Sequence, residues 1–359
     1  MAATEAEGCD GIARTLIEAG VAPSAAAGCA ARNAAGVWVR EVGGRTGAYF
    51  DLASLTKPMT ALAIARSSMK REALLGDLLP ETAQTASARL PLELFLAHRA
   101  GLLANLPLFE ALLRGELVNG ASELLRAANA RRDDAPAGEE GFAPLYSDLG
   151  YVLAGAALAR HMGTRDAGEA IAELVVSPLG QQDELGTARE LAARGRDLTV
   201  LAEPTEVVAW RGGEIRGKVH DENAWALTGL GGSGHAGMFG TVASVLAFGC
   251  AVLDALNADE ALAWLVRERP GGTLRAGFDG KSPEGSSAGA RMGARAFGHL
   301  GFTGTSLWID PDAAIVAVLL TNRVHPTREH SAIRAARPIA HDALFSRAEV
   351  IRGDRPRLR

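Results

Sequence analysis

The feature that most constrains this chain is where its extended segments fall. The stretch "FGHLGFTGTSLWIDPDAAIVAVLLTNR", residues 297–323, is rich in apolar and β-branched residues over lengths typical of strands, and its "DPDA" turn between "GTSLWI" and "AIVAVLL" marks a hairpin. Near the other end, "AAAGCAARNAAGVWVREVGG", residues 25–44, reads as two extended pieces around a turn at Asn33, preceded by a short amphipathic helix over "GIARTLIEA". Most of the chain between them consists of helical runs broken by clusters such as "RGGEIRG". Strands at both ends with helices between predict an α/β fold of the α+β sandwich kind. An antiparallel sheet drawn from both termini is flanked by helices and carries an inserted, mostly helical lobe. The expected division is 1–74 with 231–359 as one lobe and 75–230 as the helical one, with a cleft between them. The tail "REHSAIRAARPIAHDALF" predicts a closing helix interrupted near Pro338.

Composition narrows the classes of function. With 359 residues, 48% hydrophobic and 22% charged, the chain can bury a sizeable core. Its net charge of −5 and the lack of any lysine-rich tract give no reason to bind a phosphate backbone, so nucleic acid is not an expected partner. No uncharged apolar run is long enough to span a bilayer, and the acidic start with Glu5, Glu7 and Asp10 does not read as a secretory signal; the expectation is a cytoplasmic protein. Cys9, Cys29 and Cys250 are odd in number and lack a C-x-x-C spacing, which argues against a disulfide framework or a zinc ribbon and for idle thiols. "VHDEN" at 219–223 has no paired-histidine spacing and reads as a hydrogen-bonded loop, not as metal ligands. "DGKS" at 279–282 lacks the upstream glycine of a phosphate-binding loop. No metal or organic cofactor is expected.

The chemistry-bearing signal is "DLASLTKPMT", residues 51–60. The spacing of Leu55, Met59, Leu62, Ala63 and Met69 predicts a buried helix from Ser54 to about Arg71. Ser54 is therefore either an N-cap residue or a nucleophile whose base is Lys57, one turn on along the same face. Lysine is scarce here, limited to Lys57, Lys70, Lys218 and Lys281. "SSMK" at 67–70 repeats the spacing, but Ser67 falls inside the predicted helix or near its end, whereas Ser54 opens it, where unpaired N–H groups can face an anionic oxygen. A second element, "YSDLGYVLAG", places Tyr146 and Asp148 at the start of a helix, 92 residues after Ser54 (146 − 54). Tyr146 reads as a cleft or a core residue, and Asp148 as a site residue or a helix cap. The third element is His299, Leu300 and Gly301 on the strand entering the hairpin, where glycine would let a substrate approach the backbone. His235 in "GSGHAGMFG" is open between a pocket rim and a ring bonded to its own glycine-rich loop. No G-x-S-x-G elbow is present, which argues against an α/β-hydrolase.

In this order and at these separations the three elements resemble the serine hydrolases of the class C β-lactamase and penicillin-binding-protein family. "LELFLAHRAGL", "VHDENAWAL" and "GHAGMFGTVASVLAFG" extend the resemblance over most of the chain. It implies a β-lactamase/transpeptidase-like fold and an acyl-enzyme mechanism on a small ester, amide or lactam. Ser54 would be the nucleophile, Lys57 and Tyr146 would share its proton, and the backbone N–H groups of Ser54 and Phe302 would form the oxyanion hole. Asp148, His299, Leu300, Gly301 and His235 would contact the substrate. Two departures shape the expectation. The family's usual asparagine is Asp148, whose carboxylate would hold Lys57 charged and leave Tyr146 as the base. The usual Lys-Thr-Gly is His299-Leu300-Gly301, which weakens the grip on a substrate carboxylate and favours an esterase-like activity over a strong β-lactamase or a cell-wall carboxypeptidase. The alternatives are a catalytically silent binding protein with this fold and a D-amino-acid amidase or peptidase. Oligomeric state is not readable.

Overall fold

The computed structural model describes residues 8–136 and 138–353; Glu5 and Glu7 of the acidic N-terminal stretch lie outside them. Along the chain the strands are β1 (Ala25–Arg32), β2 (Trp38–Gly44), β3 (Phe50–Asp51), β4 (Leu185–Thr187), β5 (Val207–Val208) and β6 (Gly213–Glu214). They continue with β7 (Met238–Gly240), β8 (Asp279–Gly280), β9 (Phe297–Leu300), β10 (Ser306–Asp310) and β11 (Ile315–Thr321). The main sheet runs β2-β1-β11-β10-β9-β8 and is antiparallel throughout, so the two ends of the chain meet along β1 and β11, with Ala25 opposite Thr321 and Ala31 opposite Ile315. This is the antiparallel, helix-flanked sheet built from both termini that the distribution of strands predicted.

Both faces of that sheet are covered, which explains why its central strands are apolar without interruption. Val316, Val318 and Leu320 of β11 join the core under the helix Val242–Ala258 and the Ser54 helix. The alternating Ile315, Ala317 and Leu319 join the core under the N-terminal helix Gly8–Glu18 and the C-terminal helix Ile333–Arg352. The alanines and Gly28 of β1 keep the helices close: a Cβ on Gly28 would sit 3.0 Å from Val242 Cγ2. The C-terminal helix is continuous through Pro338, which corrects the expected interruption. Proline here removes a single N–H from the second turn. Ile333, Ala336, Ala340, Leu344 and Phe345 stay buried along the helix face, and this burial outweighs the loss.

Residues 75–230 contribute mainly short helices and the longer helix Asp148–Met162. Their strand β4 hydrogen-bonds to β7, which also pairs with β3, so a small sheet of order β3-β7-β4 stitches the middle of the chain to the segment that carries Ser54. "VHDEN" is the expected network: the His220 N–H donates to Asp51 Oδ2, Asp221 caps the helix Glu222–Thr228, and Asn223 Nδ2 donates to Asn105 Oδ1 and Leu106 O.

Asn322, 2% exposed, ties three segments together: its Oδ1 accepts from Ser24 N–H at 2.8 Å and its Nδ2 donates to Pro204 O at 3.1 Å. Asn322→Ala leaves both backbone groups buried and unpaired, at a cost of about 2 to 4 kcal/mol. Urea unfolding should show a lower midpoint with an unchanged slope; a midpoint equal to wild type would mean that these bonds contribute nothing net.

Candidate active site

The segment before Ser54 is pinned in place before any helix begins. Leu52 N–H bonds to Met238 O of β7, Ala53 N–H to Asp51 Oδ1, and the hydroxyls of Thr303 and Thr305 donate to Asp51 O and Leu52 O. Ala53 takes a φ of +46°, a left-handed conformation that costs an alanine about 1–2 kcal/mol. Such strain is kept where surrounding bonds over-determine the backbone, and here it sits next to the candidate nucleophile. Ser54 follows in a short 3₁₀ turn, Ala53–Leu55, that leads into the helix Thr56–Arg66. Its hydroxyl does not act as an N-cap.

Lys57 is fully buried, and its Nζ donates to three oxygens: Ser54 Oγ at 2.8 Å, Asp148 Oδ1 at 2.6 Å and His235 O at 3.4 Å. Burial works against the charge, but the Asp148 carboxylate, followed by the Tyr146 hydroxyl, outweighs it and holds the ammonium above its ordinary range. The Tyr146 hydroxyl reaches both Lys57 and Ser54. Burial pushes this phenol up as well, against the pull of Lys57 and with the help of Asp148. The resting site therefore holds an ammonium, a carboxylate and a neutral phenol around Ser54.

Asp148 is the first residue of its helix and not the cap; the Ser147 side chain accepts from Gly150 N–H and leaves the carboxylate free to face Lys57. Tyr146 is braced by His98, whose ring stacks on it at 4.6 Å and whose Nδ1 accepts the next N–H, that of Ser147. His98 was within reach of the sequence, in the "LAHRAG" segment of the resemblance, but nothing local indicated that its ring would lie on Tyr146. The competing Ser67 is excluded: it is the C-cap of the Ser54 helix and its hydroxyl donates to Ile64 O.

Ser54, Tyr146 and Asp148 open into a cleft of about 530 Å³ that His299, Leu300, Gly301 and Phe302 also line, the His299 ring 5.9 Å from that of Tyr146. Burial, followed by the Lys57 charge, pushes His299 down to about 3, so it is neutral, and its Nδ1–H donates to Leu300 O. Gly301 is required by packing: a Cβ there would sit 1.9 Å from Thr305 Oγ1 and 2.6 Å from Leu52 O, against the segment that carries Ser54. This packing requirement stands beside the expected reason, room for a substrate backbone, because Gly301 also lines the cleft. His235 corrects the expectation of a substrate contact. Its ring is 1% exposed and held between Ser233 Oγ and Asp221 Oδ1, so it meets the site only through its carbonyl oxygen on Lys57.

The sequence reading missed the cleft's arginines. Arg323, Arg328, Arg334 and Arg337 line it near Phe302. Arg328 is paired with Glu206 and Glu222. Arg323 donates only to carbonyl oxygens, including Phe302 O, and exposed Arg334 has no carboxylate partner among the described residues. In sequence these four look like ordinary surface charge, and only the packing of the 301–305 turn against the end of β11 and the C-terminal helix brings them together.

The chain matches known proteins along most of its length. Among solved structures it is similar to EstCE1, described as a hydrolase with promiscuous acyltransferase activity, with 20% identity over 93% of this chain and 97% of that one, at a TM-score of 0.66. A class C beta lactamase from Rhodobacter sphaeroides superposes at 0.66 with 16% identity and the same coverage. A D-amino acid amidase from Ochrobactrum anthropi does so at 0.62, with 16% identity over 94% and 97% of the two chains. Likeness at these identities speaks for the fold. A putative D-alanyl-D-alanine carboxypeptidase of Salmonella gallinarum is 34% identical over 119 residues, a match spanning only 30% of this chain and 27% of that protein. The sequence profile described as Beta-lactamase matches residues 13–341, and the chain belongs to the beta-lactamase family.

Proposed function

We propose that this protein is a serine hydrolase that works through an acyl-enzyme on a small ester, amide or lactam. The observation that carries the reading is the contact between Lys57 Nζ and Ser54 Oγ at 2.8 Å, with the Tyr146 hydroxyl in reach of both and the whole group opening into a substrate-sized cleft. The reactive form is the one in which Tyr146 has first released its own proton to solvent; Ser54 Oγ attacks the carbonyl carbon as its proton passes to the Tyr146 phenolate, and the phenol returns it to the leaving group when the carbon–heteroatom bond breaks. Water then repeats the sequence on the acyl-enzyme and frees the acid. Lys57 stays an ammonium, held by Asp148, and lowers the cost of charge on the Tyr146 and Ser54 oxygens. The N–H groups of Ser54 and Phe302, both on the cleft wall, receive the oxyanion.

Hydrolysis of short-chain p-nitrophenyl esters tests the reading. Ser54→Ala should lose about 10³-fold or more of kcat/KM, while Ser67→Ala keeps wild-type turnover. Wild-type protein that turns over neither these esters nor nitrocefin and whose Ser54 resists a fluorophosphonate probe would point instead to a silent binding protein.

Asp148 raises both candidate bases, so its removal has a defined sign. Lys57 and Tyr146 each lose a neighbouring negative charge in Asp148→Asn, and each gives up its proton at lower pH. The rise of ester kcat/KM with pH should move toward acid, and turnover at neutral pH should increase. An unchanged profile would show that neither group limits the reaction.

A second reading, a carboxypeptidase or amidase acting on D-amino acids, is favoured by the arginines. Although His299 is neutral and Leu300 has no hydroxyl, Arg323 and Arg334 offer charge to a substrate carboxylate. Comparing D-alanyl-D-alanine with its C-terminal amide separates the two: preference for the free acid, reduced in Arg334→Gln, supports the peptidase, whereas turnover of neither peptide leaves the esterase reading.

A further inference from the structure

Arg337 carries a charge that finds no carboxylate partner among the described residues. The residue is 8% exposed, on the face of the C-terminal helix turned toward the 301–305 turn. Its Nη2 donates to Gly301 O and to Thr305 O, each at 2.9 Å, while its Nε is buried with no hydrogen-bond partner among the described residues. The forces on it are burial and the like charge of Arg323, which together push it down to about 10, and no carboxylate enters. His341, one turn along, is neutral: burial, with Arg337 adding, pushes it down to about 3, and its Nε2 is bonded to Ser306 Oγ. A buried cation without an acid is expensive to keep, and an apolar side chain of similar volume would serve packing as well. Its presence here therefore points to a role beyond packing.

The two carbonyls it grips supply that role. Gly301 C=O and Phe302 N–H are the two ends of one peptide group, and this N–H is the second oxyanion donor in the proposed mechanism. A charge-assisted hydrogen bond at the oxygen draws electron density from the nitrogen and makes its N–H a stronger donor, the cooperativity that chains of hydrogen bonds show in a low-dielectric interior. The rest of the turn is fixed independently. Arg323 holds Phe302 O through Nε at 3.0 Å and Nη2 at 2.6 Å, and Thr303 and Thr305 anchor the turn to the segment before Ser54. We propose that Arg337 is a positioning and polarising residue for the oxyanion hole, acting through the Gly301–Phe302 peptide and not by contact with substrate. The inference rests on the acyl-enzyme reading above.

The test uses two probes without a carboxylate, so that a direct ion pair with substrate contributes nothing: the acylation burst with p-nitrophenyl acetate, and inhibition by phenylboronic acid, which adds to a serine oxygen as a tetrahedral anion. Arg337→Gln should slow the burst and weaken the boronate, each by about tenfold, with KM for the ester within about twofold of wild type. Arg337→Lys, which keeps the charge and a donor, should recover most of both. The proposal falls if folded Arg337→Gln matches wild type on both probes, or if only KM changes. Should Arg337→Gln fail to fold, the lysine variant carries the test, and a loss beyond about tenfold at an unchanged melting temperature overturns the proposal. A wild-type protein with no burst and an unlabelled Ser54 would instead overturn the acyl-enzyme reading itself.

Discussion

The cleft is organised around one buried ammonium. Lys57 has no exposed surface, and the desolvation of a charge of that size costs several kcal/mol unless each proton finds an oxygen. Its three acceptors come from three parts of the chain: Ser54 in the 3₁₀ turn that leads into its own helix, Asp148 on a helix of the middle segment, and the His235 carbonyl on the loop before β7. Holding the ammonium thus requires those segments to meet, and their meeting forms the site. The His235–Asp221 pair follows from the same requirement: it fixes the loop whose carbonyl faces Lys57 and ties that loop to the helix that Asp221 caps.

Much of the fold was legible because it rests on local patterns. The "DPDA" turn, the apolar and β-branched runs of residues 297–323 and the turn at Asn33 specify hairpins with no knowledge of the rest of the chain, and the meeting of β1 with β11 follows once each has two apolar faces to cover. Ser54, Lys57, Tyr146 and Asp148 were legible for a related reason: each lies at or near a helix start, where spacing along the sequence fixes relative position. Pro338 was misread because proline's local preference was weighed without the sheet beneath it, and burial of the helix face overrides that preference.

What stayed hidden depends on contacts between distant segments. Arg323 and Arg337 lie 14 residues apart (337 − 323), beyond the hairpin and on different elements, and nothing in "TNRVHP" or "AARPIA" indicates that both converge on the carbonyls of one turn. Gly301 answers a second demand that its spacing does not reveal: its missing side chain makes room for Leu52 O and Thr305 Oγ1, inside the protein. His98 belongs to the same class, since a ring stacked on Tyr146 requires the "LAHRAG" turn to pack against the start of the Asp148 helix.

The two departures from the family pattern are linked through electrostatics. A lysine at position 299 would bring a second ammonium near Lys57, where the Lys57 charge already depresses the histidine that is there. A neutral imidazole avoids that repulsion, and Leu300 packs toward the core beneath the C-terminal helix without asking for a hydrogen bond. Positive charge lies instead on the far side of the 301–305 turn, on Arg323 and Arg337, where backbone carbonyls solvate it. With Asp148 as the counter-ion of Lys57, the site holds a balanced pair, and the charge of Arg337 lies along the 301–305 turn, the wall where the proposed mechanism would place the oxyanion.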